Sequence, residues 1–204
     1  MPGPMTEGLG ERWYFPRRIF YKVYPCCGAM QNSLAHFHKI IMENRLEPDD
    51  IEEVQVTLNP LAELPLWRTT QIATHVEAQF SVPYVFAVMA HRTEIGPSWQ
   101  TEETYRDPRI IQFMRKVKVF TNMAGHSGER PDVEVLVYGG GKRKVYSGKG
   151  LALRGNMTDV ELMEKFKRNA RNILDDERIT IAANCVQRLE DLSDISELVR
   201  STSR

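Results

Sequence analysis

Between Cys27 and Arg45, Met30, Leu34, Phe37, Ile40 and Ile41 recur at three- and four-residue intervals, which predicts an amphipathic helix that Glu47-Pro48-Asp49-Asp50 then breaks. Ile51, Val54, Val56 and Leu58 stand against Glu53, Gln55 and Thr57, so Ile51 to Leu58 reads as a half-buried strand closed by Asn59-Pro60. Ser81 before Val82-Pro83 supplies a cap and a first-turn proline, and the apolar run from Tyr84 to Ala90 predicts a helix buried on several sides.

Asp107-Pro108 opens a short helix through Met114, and Val117 and Val119, alternating with Lys116 and Lys118, predict a strand leaving it. Val133, Val135 and Val137 alternate again, and Tyr138-Gly139-Gly140-Gly141-Lys142 is a turn signal before a second run from Arg143 to Ser147, which makes a β-hairpin. Thr158 and Glu161 have capping-box spacing, with Leu162, Phe166 and Ala170 as the apolar face of the helix behind them, and a last helix is predicted over Ile179 to Leu189. Strands and helices mix without regular βα alternation, so the expected class is α+β, with a mainly antiparallel sheet of about four strands and packed helices.

The chain has 204 residues, enough for one domain with extra terminal elements. Residues 1–12 carry Gly and Pro at short intervals and almost nothing apolar, which marks a flexible tail or linker remnant, with order beginning near Trp13. Lys plus Arg and Asp plus Glu balance at 27 each, leaving no overall field to attract nucleic acid or an anionic membrane. The longest apolar run, Val82 to Ala90, is far below the ~20 residues that span a bilayer, and no signal-peptide layout opens the chain, so a cytoplasmic or organelle-matrix location is expected. Three cysteines, two of them adjacent, describe no disulfide framework and fit a reducing compartment.

Gly139-Gly140-Gly141-Lys142 lacks the spacing and the following helix of a phosphate loop, so the hairpin turn is the better reading. His36 and His38 point to different faces of a helix, with no Cys or carboxylate at the spacing a helical metal site needs, and Cys26-Cys27 lacks the two-residue gap of a zinc or redox motif. Neither pair is expected to bind metal. Lys22-Val23-Tyr24-Pro25-Cys26-Cys27-Gly28 differs in kind: a cation, a proline-stiffened turn and small thiols stand directly before a helix start, where exposed amides attract carboxylates. On the residues alone a solvated lysine before a structural turn is the plainer reading, since most lysines are solvated.

At this motif the sequence resembles the C-terminal domain of the MmgE/PrpD family, whose members include 2-methylcitrate dehydratase, cis-aconitate decarboxylase and iminodisuccinate epimerase. The resemblance rests on Leu9-Gly10-Glu11-Arg12-Trp13, on Lys22 through Cys27, and on Gln79-Phe80-Ser81-Val82-Pro83-Tyr84. It continues through Asp107-Pro108-Arg109-Ile110 to Val119, and through Lys165-Phe166 with Asn169-Ala170, collinear over nearly the whole chain.

What the resemblance implies is a substrate-covering lid domain or small subunit acting on small polycarboxylates by dehydration or epimerisation, inactive alone because an all-helical upstream partner carries the proton-handling histidines and aspartate. Lys22 matches the lid lysine that holds a substrate carboxylate, and Tyr84 the tyrosine that hydrogen-bonds substrate or passes a proton. Cys27, a candidate substrate contact, falls where cis-aconitate decarboxylases carry histidine, which disfavours decarboxylation. No metal or organic cofactor is implied, and apolar faces for the partner make a homo- or hetero-oligomer the expectation. The reading from another class is a stand-alone polycarboxylate-binding or interaction module without catalysis.

Overall fold

A computed structural model of the chain describes residues 8, 10–11, 20–122, 134–140, 144–149 and 157–203. The chain before residue 20, including Leu9 and Arg12-Trp13, lies outside them apart from those three residues, as do Val133 and the turn positions 141–143.

A 3₁₀ turn, Gly28–Met30, leads into helix α1, Gln31–Glu43, whose Leu34, Phe37 and Ile41 are buried on the predicted face. A second 3₁₀ turn at Pro48–Asp50 delivers the chain to strand β1, Ile51–Leu58. Val54, Val56 and Leu58 point into the core while Glu53, Gln55 and Thr57 lie half-buried on the opposite face, as a period of two requires.

Three short helices follow: α2 (Pro65–Arg68), α3 (His75–Phe80) and α4 (Val82–Ala90). Helix α3 starts on a capping box in which Thr74 and Glu77 satisfy each other's backbone amides. In α4 the Ser81 hydroxyl accepts from the Tyr84 amide at 3.1 Å, and all nine residues are buried. A helix apolar all round has to be covered on every side, and α4 packs against α1 and α3 and, further along the chain, against α6 (Pro108–Met114) and strand β2. Helix α5 (Glu102–Tyr105) stands between α4 and α6, and β2 spans Val117–Thr121. Phe37 of α1 meets Phe86 of α4 with ring centroids 5.0 Å apart at the centre of the core.

Strands β3 (Glu134–Gly139) and β4 (Lys144–Lys149) form the predicted hairpin, and the sheet runs in the order β2-β1-β3-β4. Pairings β1–β3 and β3–β4 are antiparallel, but β1 and β2 are parallel, with Val54 opposite Val117 and Leu58 opposite Thr121. The sheet is therefore mixed. A parallel pair needs a long crossover, and α2 through α6 provide it. Gly139 is required where it stands: its φ is +153°, and a Cβ there would lie 2.0 Å from the Asp50 carbonyl oxygen.

The chain ends in helices α7 (Asp159–Ala170), α8 (Asp176–Gln187) and α9 (Ser196–Thr202). The Thr158–Glu161 capping box forms as predicted, the Glu161 amide donating to the Thr158 hydroxyl and the Thr158 amide to the Glu161 carboxylate. The helix expected over Ile179 to Leu189 begins earlier, because Asp175 accepts from the Arg178 amide at 2.8 Å and caps it. The apolar side of α7 is only half-covered: Leu162 and Phe166 line a groove against Ala183 and Val186 of α8.

Candidate functional site

The segment from Lys22 to Cys27 has no regular structure, so side chains from elsewhere satisfy its backbone. Gln31, at the start of α1 and 4% exposed, accepts from the amides of Val23 and Tyr24 at 2.9 and 3.0 Å, and its own amide donates to the Tyr24 carbonyl at 2.9 Å. Gln100 donates to the Pro25 carbonyl at 2.6 Å, and the Cys27 amide donates to the Gln79 carbonyl at 3.1 Å. The ring of Tyr24 stacks on Trp99, centroids 6.1 Å apart and planes 12° apart.

Trp99 sits in a 3₁₀ turn, Pro97–Gln100, which is itself tied to the core. Its indole nitrogen donates to the Thr93 carbonyl at 3.1 Å, and its carbonyl accepts a 2.5 Å hydrogen bond from the Tyr84 hydroxyl. A continuous support thus runs from α4 through Tyr84 and Trp99 to the turn that carries Lys22.

Beside this turn lies a cavity of about 290 Å³. Lys22, Tyr24 and Cys26 form one wall, Gly96 and Gln100 another, and Lys165, Arg168 and Asn169 of α7 close it. Three of the described residues around it are cations, and no Asp or Glu is among them. The Lys165 ammonium donates to the Lys22 carbonyl at 2.6 Å, which docks α7 onto the turn. Burial, then Arg168 and Lys22, hold the Lys165 ammonium below the usual lysine range. The Arg168 Nε is buried without a hydrogen-bond partner.

Burial and the neighbouring Cys27 push the Cys26 thiol up to about 12, so at neutral pH it is a protonated wall group and not a thiolate nucleophile. Burial and Cys26 likewise raise the Tyr24 phenol to about 12. No histidine lines the cavity among the described residues. His36 is buried against Gly148 of β4, where a Cβ would lie 2.6 Å from its ring, and His38 Nδ1 faces the Tyr24 hydroxyl at 3.5 Å.

Of the three residues singled out in the sequence, Lys22 lines the cavity and is exposed. Cys27 is half-buried and outside the lining, with Cys26 in the wall instead. Tyr84 also lies outside it. The expected contact between Tyr84 and substrate does not match its placement, because the side chain is 0% exposed and its hydroxyl is spent on the Trp99 carbonyl. Lys165 and Arg168 also line the cavity and were not singled out in the sequence as candidates. They stand far along the chain from Lys22, and only the docking of α7 brings them there.

Fold and cavity together define an α+β domain that presents a small cationic recess, without a carboxylate among its described lining residues and suited to a small anion. The MmgE/PrpD C-terminal domain model matches residues 24–189, a span that takes in Tyr24 through Cys27, Tyr84, Lys165 and Arg168 and begins two residues after Lys22. The chain belongs to the MmgE/PrpD family, as its C-terminal domain. No curated protein sequence matched the chain. Among the described residues, no helix is long and apolar enough to cross a membrane.

Proposed function

We propose that this domain covers the substrate site of an MmgE/PrpD enzyme acting on small polycarboxylates, by dehydration or epimerisation, in company with a helical partner domain. The observation that carries the reading is the cavity at Lys22, ringed by Lys22, Lys165 and Arg168 with no carboxylate among its described lining residues to neutralise them.

In such chemistry a proton leaves the carbon beside a carboxylate, and negative charge accumulates on the carboxylate oxygens. A fixed ammonium at that position stabilises the charge most where it is greatest, in the transition state. Lys22 has this role. The recess holds no carboxylate or imidazole among its described lining residues, so the group that takes the proton comes from the facing domain. Tyr84 and Gln31 support the turn that carries Lys22, and Cys26 shapes the wall.

The test is the assembled enzyme with Lys22→Met, assayed by formation of the unsaturated acid or by loss of optical activity. Loss of about 10²-fold or more in kcat/KM is expected, the scale of removing one preorganised donor to a developing oxyanion. Unchanged activity in a folded variant refutes the reading.

The cations all belong to this one chain, which also favours a binding module that holds a polycarboxylate without catalysis. Tight citrate binding by the isolated chain, with no helical partner recovered when the tagged chain is captured from its native extract, decides for that alternative.

A further inference from the structure

We propose that Lys165 is a positioning residue for Lys22: it fixes the peptide that follows Lys22, so that the docking of α7 decides where the Lys22 ammonium stands. The inference rests on the reading of Lys22 as the carboxylate-holding residue and adds what places it.

Most of the turn is fastened without α7. Gln100 donates to the Pro25 carbonyl, the Cys27 amide donates to the Gln79 carbonyl, and Gln31 accepts from the Tyr24 amide. The peptide that joins Lys22 to Val23 is different, because it is gripped from two sides. Its N–H donates to Gln31 at 2.9 Å, and its carbonyl accepts from the Lys165 ammonium at 2.6 Å. A peptide unit is planar, with its N–H and C=O on opposite edges. One hydrogen bond lets the plane tip about that contact; two on opposite edges pin it, and with it the Lys22 Cα. The chain leading into the turn gives little help, since Phe20 and Tyr21 are 56% and 46% exposed. Among the described residues the Lys165 contact is the one hydrogen bond to the Lys22 backbone.

The second grip comes from a different part of the molecule. The buried Ile179, Ala182, Ala183 and Cys185 of α8 stand outside the core cluster that joins α1, α4 and the sheet. The C-terminal helices meet the rest of the domain along the cavity, where a Cβ on Gly96 would lie 3.5 Å from the Asn169 side chain. Their docking is therefore felt first at the turn that carries Lys22.

The plainer explanation is a lysine that satisfies a carbonyl for stability alone. Lys116 does this outside the cavity lining, donating to the Pro48 and Ile51 carbonyls at 3.0 and 2.6 Å. Lys165 differs in its surroundings. Burial, Arg168 and Lys22 all lower its proton affinity, and no Asp or Glu is among the described residues of the cavity wall. A lysine with only stability to supply gains more by turning to water, away from two other cations. This one keeps its contact against that repulsion, at the one peptide whose orientation sets the Lys22 side chain.

The experiment is isothermal titration with citrate of the chain assembled with its helical partner domain. It compares wild type, Lys165→Met, Lys165→Arg, Lys22→Met and the double variant, with thermal unfolding of each. Because the bond goes to the backbone, Lys165→Met should lower Tm equally in the wild-type and Lys22→Met backgrounds. Affinity should behave otherwise. Lys165→Met is expected to weaken citrate about tenfold or more with Lys22 present, but about threefold or less in Lys22→Met, the share due to the charge it removes. Lys165→Arg, which keeps both charge and donor, should restore most of the affinity. Equal factors in the two backgrounds, or wild-type affinity in Lys165→Met, overturn the positioning role, and a weakened Lys22→Met then leaves the role of Lys22 standing. If Lys22→Met binds as wild type does, or wild type binds no citrate, both readings fall.

Discussion

Replacing Gln31 by Met isolates the support of the site turn from its charge. Methionine keeps the length and nearly the volume of glutamine and fills the same buried space, so the change removes hydrogen bonds with little change in packing. Three short bonds go, two from the amides of Val23 and Tyr24 to Oε1 and one from Nε2 to the Tyr24 carbonyl, together with two longer ones from Nε2 to the Cys26 carbonyl and thiol at 3.5 and 3.3 Å. At a net ~1 kcal/mol for each of the three short bonds, the loss is about 3 kcal/mol, and it is larger if water cannot reach the abandoned groups. For a chain of this size that is a fall of roughly 6 to 12 °C in Tm. Urea unfolding should show a lower midpoint at an unchanged slope, since the surface exposed on unfolding is the same. Citrate affinity of the assembled enzyme should fall with it, although no cation has been altered, because Lys22 is then carried by a looser turn. A loss below about 0.5 kcal/mol would refute the reasoning, since it would mean that the turn is held by Tyr24 stacking and by Gln100 without need of Gln31.

Tyr84→Phe should cost about 1 to 3 kcal/mol in stability by abandoning the Trp99 carbonyl, with little direct effect on substrate. Activity lost at unchanged stability would instead give the hydroxyl a part in the chemistry. Gly139→Ala should cost about 2 kcal/mol or more in urea unfolding, because its Cβ would meet the Asp50 carbonyl at 2.0 Å and its φ is +153°; an unchanged midpoint would show that the hairpin turn shifts freely. His91 is held below its ordinary value of 6.5 by burial and by Arg109, against the opposing carboxylates of Asp107 and Asp49. The unfolded chain therefore takes up a proton before the folded one, and stability should be flat above pH 6.5 and fall as pH drops toward the folded value. His38, lowered by burial, acts with the same sign. Urea midpoints at several pH values check the slope, which His91→Gln should reduce.

Elements whose pattern is set by one buried face were legible in the sequence. The strand at Ile51–Leu58 and the helix at Val82–Ala90 lie where periodicity, Ser81 and Pro83 place them. The parallel pairing of β1 with β2 was not legible, because Val117 and Val119 alternate in the same way whichever direction the partner runs. Short helices such as α2 and α5 are too brief for a hydrophobic period to register, and the Trp99 turn has no pattern of its own. Its importance appears only when Tyr24 stacks on it. Lys22 was singled out by the family resemblance, since its place before a proline turn and a helix alone left a solvated lysine the plainer reading. Lys165 entered only through the Lys165-Phe166 resemblance and Arg168 not at all, because only tertiary docking turns them toward the same space.

The most direct test is a titration of the isotope-labelled chain, assembled with its helical partner domain, with citrate, following every backbone amide by NMR. Amides of residues 22–27, 96–100 and 165–169 should shift together along one saturation curve, and Lys22→Met should abolish the response. Shifts spread over the β3–β4 hairpin, or none in the cavity at saturating citrate, would contradict a carboxylate site there.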